Sequence, residues 1–262
     1  MVTMLGAHSR KLSLVRELRT KAGRREHGRF CAEGATLLAE ALAANRVPEE
    51  LYGTEAALAS APIADPRLAG RIYAVPQRAL ARLSDLEAPP GLIAVHRTRS
   101  ESLEAILAEG RPAVVLAGVA DPGNAGALLR SAEIFGIGIA IFTHDAVEAY
   151  NPKVVRATMG AIFRMRVATS DAAELCAVAS RHRYRLVAAG RGGEPLPTYR
   201  FPERALLAIG NERHGVLRAL PHVDETVAIP QPGTGESLNA SVAGGIIFYA
   251  FSQHVARKSN ES

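Results

Sequence analysis

Short, continuous apolar runs recur through the latter part of the chain, at Ala113–Val119, Ile137–Phe142, Tyr184–Ala189, Ala205–Gly210 and Glu225–Ile229. Runs of this kind, rich in β-branched residues, read as strands buried on both faces, as in a parallel sheet. Helical stretches lie between or after them, notably Ala125–Phe135, Ala172–His182 and Asn239–Val255. The alternation predicts an α/β domain in which helices wrap a parallel sheet. Upstream the pattern comes in shorter pieces. Phe30–Ala44 reads as a strand end running into an Ala/Leu-rich amphipathic helix, and short strands are expected at Glu50–Gly53, Arg71–Val75 and Leu92–His96, with Pro89-Pro90-Gly91 marking a loop before the last. Arg97–Gly110 is charged, helical over Leu103–Ala108, and stops at Gly110-Arg111-Pro112. The expected layout is therefore a small α/β unit over 1–98, a linker over 99–112, the parallel-sheet domain over 113–256 and a polar tail over 257–262.

A chain of 262 residues with 48% hydrophobic and 22% charged positions has enough apolar material for a substantial core, which excludes wholesale disorder. The net charge of +5 favours a polyanionic partner, and its placement says more than its size. His8–Phe30 carries Arg10, Lys11, Arg16, Arg19, Lys21, Arg24, Arg25 and Arg29 against only Glu17 and Glu26. Such a basic segment is either a solvated helix face or a nucleic-acid contact. Cys31 and Cys176 are far apart and without CxxC or Cys/His spacing, so neither a disulfide framework nor a zinc site is suggested. The N-terminus lacks an apolar core of signal-peptide length, and Val242–Phe251 is too short to cross a bilayer. A cytoplasmic protein with no membrane span and no metal is expected.

A dinucleotide-binding domain would carry GxGxxG in the turn after its first strand, and none is present here. Instead Asp121-Pro122-Gly123-Asn124-Ala125-Gly126 follows the Ala113–Val119 strand and leads into a helix with Arg130 in its second turn. Pro122 and Gly123 enforce a turn, and Asn124 can cap the helix by accepting from backbone N–H groups. Taken alone, Asn124 reads as that cap and Arg130 as a surface or ion-paired arginine. Two further strand ends change the picture. Ile209–Gly215 (IGNERHG) runs a strand into a glycine-flanked loop with a carboxylate at its centre, and at Ile229–Ser241 a strand stops at Pro230 before Ser237 or Asn239 opens the last helix. Open α/β sheets bind ligands in the crevices outside their C-terminal strand ends, so the three loops are expected to meet in one pocket.

Asp121–Gly136 (DPGNAGALLRSAEIFG), Ile209–Gly215 and Ile229–Ala243 (IPQPGTGESLNASVA) resemble, in order, the three motifs of the SpoU (TrmH) family of RNA 2′-O-ribose methyltransferases. Tyr150–Phe163 (YNPKVVRATMGAIF) resembles the family's Pro-Lys and Arg-x-x-x-Gly segment. The likeness spans Ala113–Val255, and the N-terminal part is similar to the ribosomal-protein-like RNA-binding domain that many members carry. The resemblance implies a parallel-sheet domain with a deep trefoil knot of the SPOUT type, S-adenosylmethionine as cofactor, and a homodimer with a composite active site. Periodicity alone would draw an ordinary doubly wound sheet, since knots are rare. For the dimer the last helix adds its own signal: Leu238, Val242, Ala243, Gly244, Ile246, Ile247 and Tyr249 leave it apolar on most faces, as in a helix buried within a monomer or against a second copy.

By the resemblance, the methyl donor is held by Gly210, Ile229 and Leu238 through backbone groups, with Ala117 and Gly118 nearby. Arg130 is the catalytic arginine, with Asn124, Glu212, Ser237 and Asn239 orienting it, the ribose and the loop backbone. A guanidinium stays protonated in essentially all proteins, so holding a phosphate and stabilising an oxyanion suits Arg130 better than service as a base. Lys153 and Arg156, with Arg10, Lys11, Arg16, Arg19, Arg24, Arg25 and Arg29, are the expected RNA phosphate contacts. With 5% aromatic residues and no Trp, recognition of folded RNA shape is expected rather than extended base stacking. His214, in the second motif, reads as structural or RNA-facing. The expected substrate is 23S ribosomal RNA, modified for housekeeping or for antibiotic resistance. Transfer RNA, methylation of a base nitrogen, and a catalytically silent RNA-binding module are the alternatives. Asn124, Arg130 and the Ser237-Leu238-Asn239 triplet favour the ribose reaction.

Overall fold

The computed structural model describes residues 2–6, 9–211, 214–235 and 237–261, with 259–261 described by backbone alone. Contacts divide it into two compact units, Met1–Thr98 with Tyr150–Phe163, and Arg99–Ala149 with Arg164–Ser262.

The first unit begins with β1 (Thr3–Met4), α1 (Arg10–Glu17), α2 (Lys21–His27), β2 (Arg29–Glu33), α3 (Ala35–Ala43) and β3 (Glu50–Gly53). It continues with α4 (Glu55–Ser60), β4 (Ile72–Ala74), α5 (Gln77–Ala81) and β5 (Leu92–Arg97). The five strands form one sheet in the order β1-β4-β3-β5-β2, with β5 antiparallel to both neighbours. Alternation along β5 assigns its two faces: Ile93 and Val95 join Leu12, Val15 and Leu18 of the α1 region, while Leu92 and Ala94 join Leu38 and Leu42 of the α3 region. Each fully buried side chain of this kind contributes about 1.5–3 kcal/mol.

The second unit runs through α6 (Leu103–Leu107), β6 (Ala113–Ala117), α7 (Pro122–Ile134) and β7 (Ile139–Thr143). After α8 (Pro152–Ala157), which belongs to the first unit, come β8 (Arg166–Ser170), α9 (Ala172–Arg181), β9 (Arg185–Pro195), β10 (Ala205–Gly210), β11 (Glu225–Ala228) and α10 (Ala240–Glu261). Its six strands lie in the order β11-β9-β10-β6-β7-β8, and every neighbouring pair is parallel. Leu175 and Val178 of α9 and Ile106 of α6 cover one face, packed on Ala113, Val115 and Ala117. α10 packs against α7, β9 and β10. Gly244 permits this approach, because a Cβ there would fall under 3.0 Å from Leu128 of α7.

The mixed α/β architecture with a parallel sheet agrees with the apolar runs, and four details differ from the reading of the sequence. β8 carries Arg166, Thr169 and Ser170 and sits at the sheet edge, so it lacks the continuous apolar signature of the central strands. Residues 99–112 are no free tether, since Leu103, Ile106 and Leu107 are buried in the second core. The helix α10 carries the backbone of 257–261 that was expected to be a tail. Tyr150–Phe163 joins the first unit through rings: Phe30 meets Tyr150 in a tilted pair with centroids 4.6 Å apart, and Phe163 lies 4.9 Å from His96. Arg46 Nε also donates to the Phe163 carbonyl at 3.0 Å.

His96 is buried in that aromatic cluster, and its Nε2 has no partner among the described residues. Desolvation pushes the imidazole down from 6.5 to about 4. The native protein thus keeps His96 neutral while the unfolded chain takes up a proton, so stability is unaffected above about pH 6.5 and falls as pH drops toward 4. Between pH 7 and pH 5 the His96 contribution to the loss is on the order of 2 kcal/mol. Urea unfolding at the two pH values should show a smaller loss for His96→Phe than for the wild type; equal losses would mean that this group does not carry the effect.

Candidate active site

Because the second sheet is parallel, the C-terminal ends of β6, β9, β10 and β11 open on the same side. The loop after β10 turns back on itself. Gly215 N–H donates to the Asn211 carbonyl at 2.8 Å, and a Cβ on Gly210 would lie under 3.0 Å from the backbone of Gly215 and Val216. Asn211 Nδ2 donates across to the Gly118 carbonyl at 3.3 Å, and Gly118 N–H donates to the buried Thr143 hydroxyl at 2.9 Å. These bonds tie the ends of β6, β7 and β10 together.

The helices α7 and α10 bring in the polar motif residues. α7 is capped by Asp121, whose carboxylate accepts from Asn124 N–H at 2.7 Å, with Pro122 in the first turn. The capping role expected for Asn124 therefore belongs to Asp121. Asn239 caps α10, accepting at Oδ1 from Ser241 N–H at 2.8 Å and Val242 N–H at 3.3 Å. Its Nδ2 donates to Asn124 Oδ1 at 3.0 Å, so two distant motifs meet side chain to side chain.

Together the strand ends enclose a cavity of about 600 Å³. Gly210, Ile229, Ser237 and Leu238 line it, as the sequence motifs suggest. Ala117 and Gly118 line a smaller neighbouring cavity of about 230 Å³ with Asp145, His214 and Arg218, and Asn211 and Gly215 belong to both walls. Arg130 is exposed on α7, whose inner face is Ala125, Leu128, Leu129 and Ala132, and it is not among the residues lining either cavity. Glu212 lies outside the described residues.

The wall also contains Ala189–Gly192, which sequence reasoning missed. β9 leaves its ladder with β11 there: Ala188 pairs with Thr226 and Glu194 with Val227, so residues 189–193 have no partner on β11. The run Gly190-Arg191-Gly192-Gly193 was the available signal, because glycine inside a strand pattern marks a bulge. Gln231 and, from α10, Ala243 and Ile247 complete the wall.

The basic residues of the first unit divide into two groups. Arg24 is 3% exposed and donates to the carbonyls of Leu18 and Arg19, which close the turn after α1, so its guanidinium faces the protein rather than a solvent-side phosphate. Lys11 pairs with Glu50, Arg19 with Asp85, Arg29 with Glu49 and Arg156 with Glu33. Arg10, Arg16, Arg25 and Lys153 are exposed. Among the described residues no group of three or more His, Cys, Asp or Glu side chains could hold a metal ion, and no helix is long and apolar enough to cross a membrane.

Two family models match the chain: the SpoU rRNA Methylase family over residues 111–249 and the MRM3-like substrate binding domain over residues 10–94. The chain belongs to the SpoU rRNA Methylase family, and it is an enzyme of S-adenosylmethionine-dependent RNA methylation. It is 27% identical over 93% of its length to the 23S rRNA (guanosine(2553)-2′-O)-methyltransferase RlmP of Bacillus subtilis, of which the match covers 96%. Among solved structures, the SpoU methyltransferase AviRb from Streptomyces viridochromogenes in complex with the cofactor AdoMet matches with a TM-score of 0.82 at 25% identity, covering 95% of this chain and 99% of that one. A putative RNA methyltransferase of the TrmH family from Porphyromonas gingivalis matches with a TM-score of 0.79 at 27% identity, covering 93% and 97%.

The cavity near Gly210 fits this cofactor. Its volume of about 600 Å³ lies in the usual range for such ligands, much of its wall is glycine and loop backbone, and no carboxylate stands among its described lining residues. Gly210→Ala would push the 210–215 loop outward, since the added methyl has no room. Calorimetric titration should find S-adenosylmethionine bound at least about tenfold more weakly by this variant, with its circular dichroism unchanged. Unaltered affinity would mean that the loop does not shape the donor wall.

Proposed function

We propose that the chain transfers a methyl group from S-adenosylmethionine to the 2′-hydroxyl of one ribose in large-subunit ribosomal RNA, in the cytoplasm. The observation that carries this reading is the gathering of the second and third motif loops around one cavity of glycine and loop backbone, to which the first motif is joined only through the bond from Asn239, beside that wall, to Asn124. Gly210, Ile229 and Leu238 would hold the donor, with Ala117 and Gly118 beside them. The donor supplies an electrophilic methyl on a sulfonium. The chain's own task is to position the ribose and to favour negative charge on a weakly acidic hydroxyl oxygen. Arg130 serves that charge through its forked guanidinium donors, and holds the adjoining phosphate. Asn124, Ser237, Asn239 and Glu212 orient the sugar and the loop backbone. Arg10, Arg16, Arg25 and Lys153, exposed on the first unit, make the phosphate contacts that position the RNA. The match of the first unit to a substrate-binding domain, and a relative named for 23S rRNA, favour ribosomal over transfer RNA.

Arg130 stands outside the wall of its own chain's cavity, which supports a composite site in a homodimer. α10 offers the surface. Val242, Ile246 and Tyr249 follow one face at 50%, 38% and 53% exposure, and Ile134 of α7 is 63% exposed beside Phe135, whose ring meets Tyr249 with centroids 5.7 Å apart. Exposed apolar stripes of this kind mark contact surfaces. The strand order also supports the knotted fold, because β10 enters between β6 and β9, both laid down before it.

Labelled donor incubated with separate ribosomal and transfer RNA pools should mark ribosomal RNA at a 2′-O-methyl nucleotide. Arg130→Ala should lower the rate by about two to three orders of magnitude while binding the donor normally. Label in transfer RNA, label on a base, or donor binding without transfer by the wild type would each replace this reading, and near-normal turnover of Arg130→Ala would remove that residue from it.

Val242 and Ile246 are not among the residues lining the cavity, whereas Ala243 and Ile247 are. The double variant Val242→Glu/Ile246→Glu should therefore run as a monomer in light scattering and lose methyl transfer, with its donor affinity kept within about threefold. A variant that remains dimeric would place the interface elsewhere.

A further inference from the structure

The excursion of β9 at residues 189–193 is built at a cost. Gly193 is required because a Cβ would fall under 3.0 Å from the Thr226 carbonyl, and Gly192 takes a left-handed φ of +75°. Glycines inside a strand forfeit packing and lose more entropy than other residues on folding. With Ala189 and three glycines making up the rest, the excursion displays a single functional side chain, Arg191. Arg191 is exposed, lines the 600 Å³ cavity with Gln231 and Ser237, and is the one charged side chain among the described residues of that wall. Some arginines of the second unit are ion-paired: Arg185, on the same strand, pairs with Asp224 and Glu225, Arg164 with Glu133, and Arg166 with Glu101. Arg191 has no such carboxylate among the described residues.

We propose that Arg191 is an anion clamp for the acceptor, binding an RNA phosphate next to the target ribose at the mouth of the donor cavity. The proposal rests on the methyl-transfer reading above. S-adenosylmethionine carries an ammonium and a sulfonium against one carboxylate, so an unpaired guanidinium beside it is repelled by the donor's net charge. A polyanion arriving over the same mouth neutralises both. The planar guanidinium, with its forked donors, matches phosphate oxygens, and its place on the exposed excursion puts it on the solvent side, where RNA would enter.

Filter binding to a protein-free 23S ribosomal RNA transcript, between about 50 and 200 mM salt, compares wild type with Arg191→Ala and Arg191→Lys. Arg191→Ala should bind about fivefold more weakly at the low-salt end, and its log affinity should fall less steeply with log salt, by about 0.7–0.9 of a unit. Arg191→Lys should keep the wild-type slope. S-adenosylmethionine affinity, measured by calorimetry without RNA, should not weaken in either variant and should stay equal or tighten in Arg191→Ala, which also shows that the variants are folded. Unchanged slope and RNA affinity in Arg191→Ala would make this a solvated surface arginine. A loss of donor affinity with the slope intact would assign the guanidinium to the donor's carboxylate. Either result overturns the clamp. A wild type that binds the transcript but methylates other RNA fails the substrate reading alone, since the slope comparison still decides Arg191.

Discussion

The second unit depends on backbone meeting backbone where no side chain would fit. At Gly210 the strand end is pressed against Gly215 and Val216, and at Gly193 against the carbonyl of Thr226. Parallel strands bring their C-terminal ends to one side of the sheet, but they do not by themselves make a ligand wall. Here the close approaches fold the loop after β10 back over its own strand and push residues 189–193 out of the ladder. The wall that results is largely glycine and loop backbone, with Arg191 its one charged side chain among the described residues.

Helix capping completes the arrangement. Had Asn124 spent its oxygen on the first turn of α7, as its position in the motif suggests, it could not accept from Asn239 in the same way. Asp121 takes the capping role with a stronger, charged acceptor, which is also favoured by the dipole at a helix N-terminus. Asn239 divides its own amide between two tasks, the oxygen capping α10 and the nitrogen reaching Asn124. The start of α10 is thereby held to the start of α7, and Gly244 lets the two helices stay close further along.

What the sequence made legible follows from range. The central strands were readable because burial on both faces leaves nothing but apolar residues, as in AVVLA at β6 and ALLAIG at β10. The edge strand β8 was not, because an edge tolerates Arg166 and Thr169. The motif loops were found from their glycine and polar content, but the role of Asn124 was not, since its choice between cap and bridge is made by Asn239, 115 residues away. Tyr150–Phe163 looked like part of the parallel-sheet domain by its place in the chain. Its rings instead pack on Phe30 and His96, a contact that no local pattern announces. Arg24 is a similar case: it sits in a run of basic residues, yet the turn at Leu18 and Arg19 needs donors for its carbonyls, and Arg24 supplies them.

The distribution of charge between the units bears on how the RNA would be held. Lys11, Arg19 and Arg29 are paired with carboxylates at the surface, and such pairs contribute little to stability, a median of about 0–1 kcal/mol each. An incoming phosphate can exchange with those carboxylates at small cost, so a paired basic residue is a weaker phosphate ligand without being lost to RNA. Arg10, Arg16 and Arg25 need no exchange and give the first unit its net attraction. The wall of the second unit's cavity, by contrast, has one cation among its described residues, Arg191, and α7 presents Arg130 outward. Long-range attraction would then belong to the first unit, while the few guanidiniums near the reacting sugar act only at contact. In the proposed reaction that division would leave Arg191 as the single positive charge among the described residues of the cavity wall where a cationic donor enters, a charge that the phosphates of the acceptor would offset on arrival.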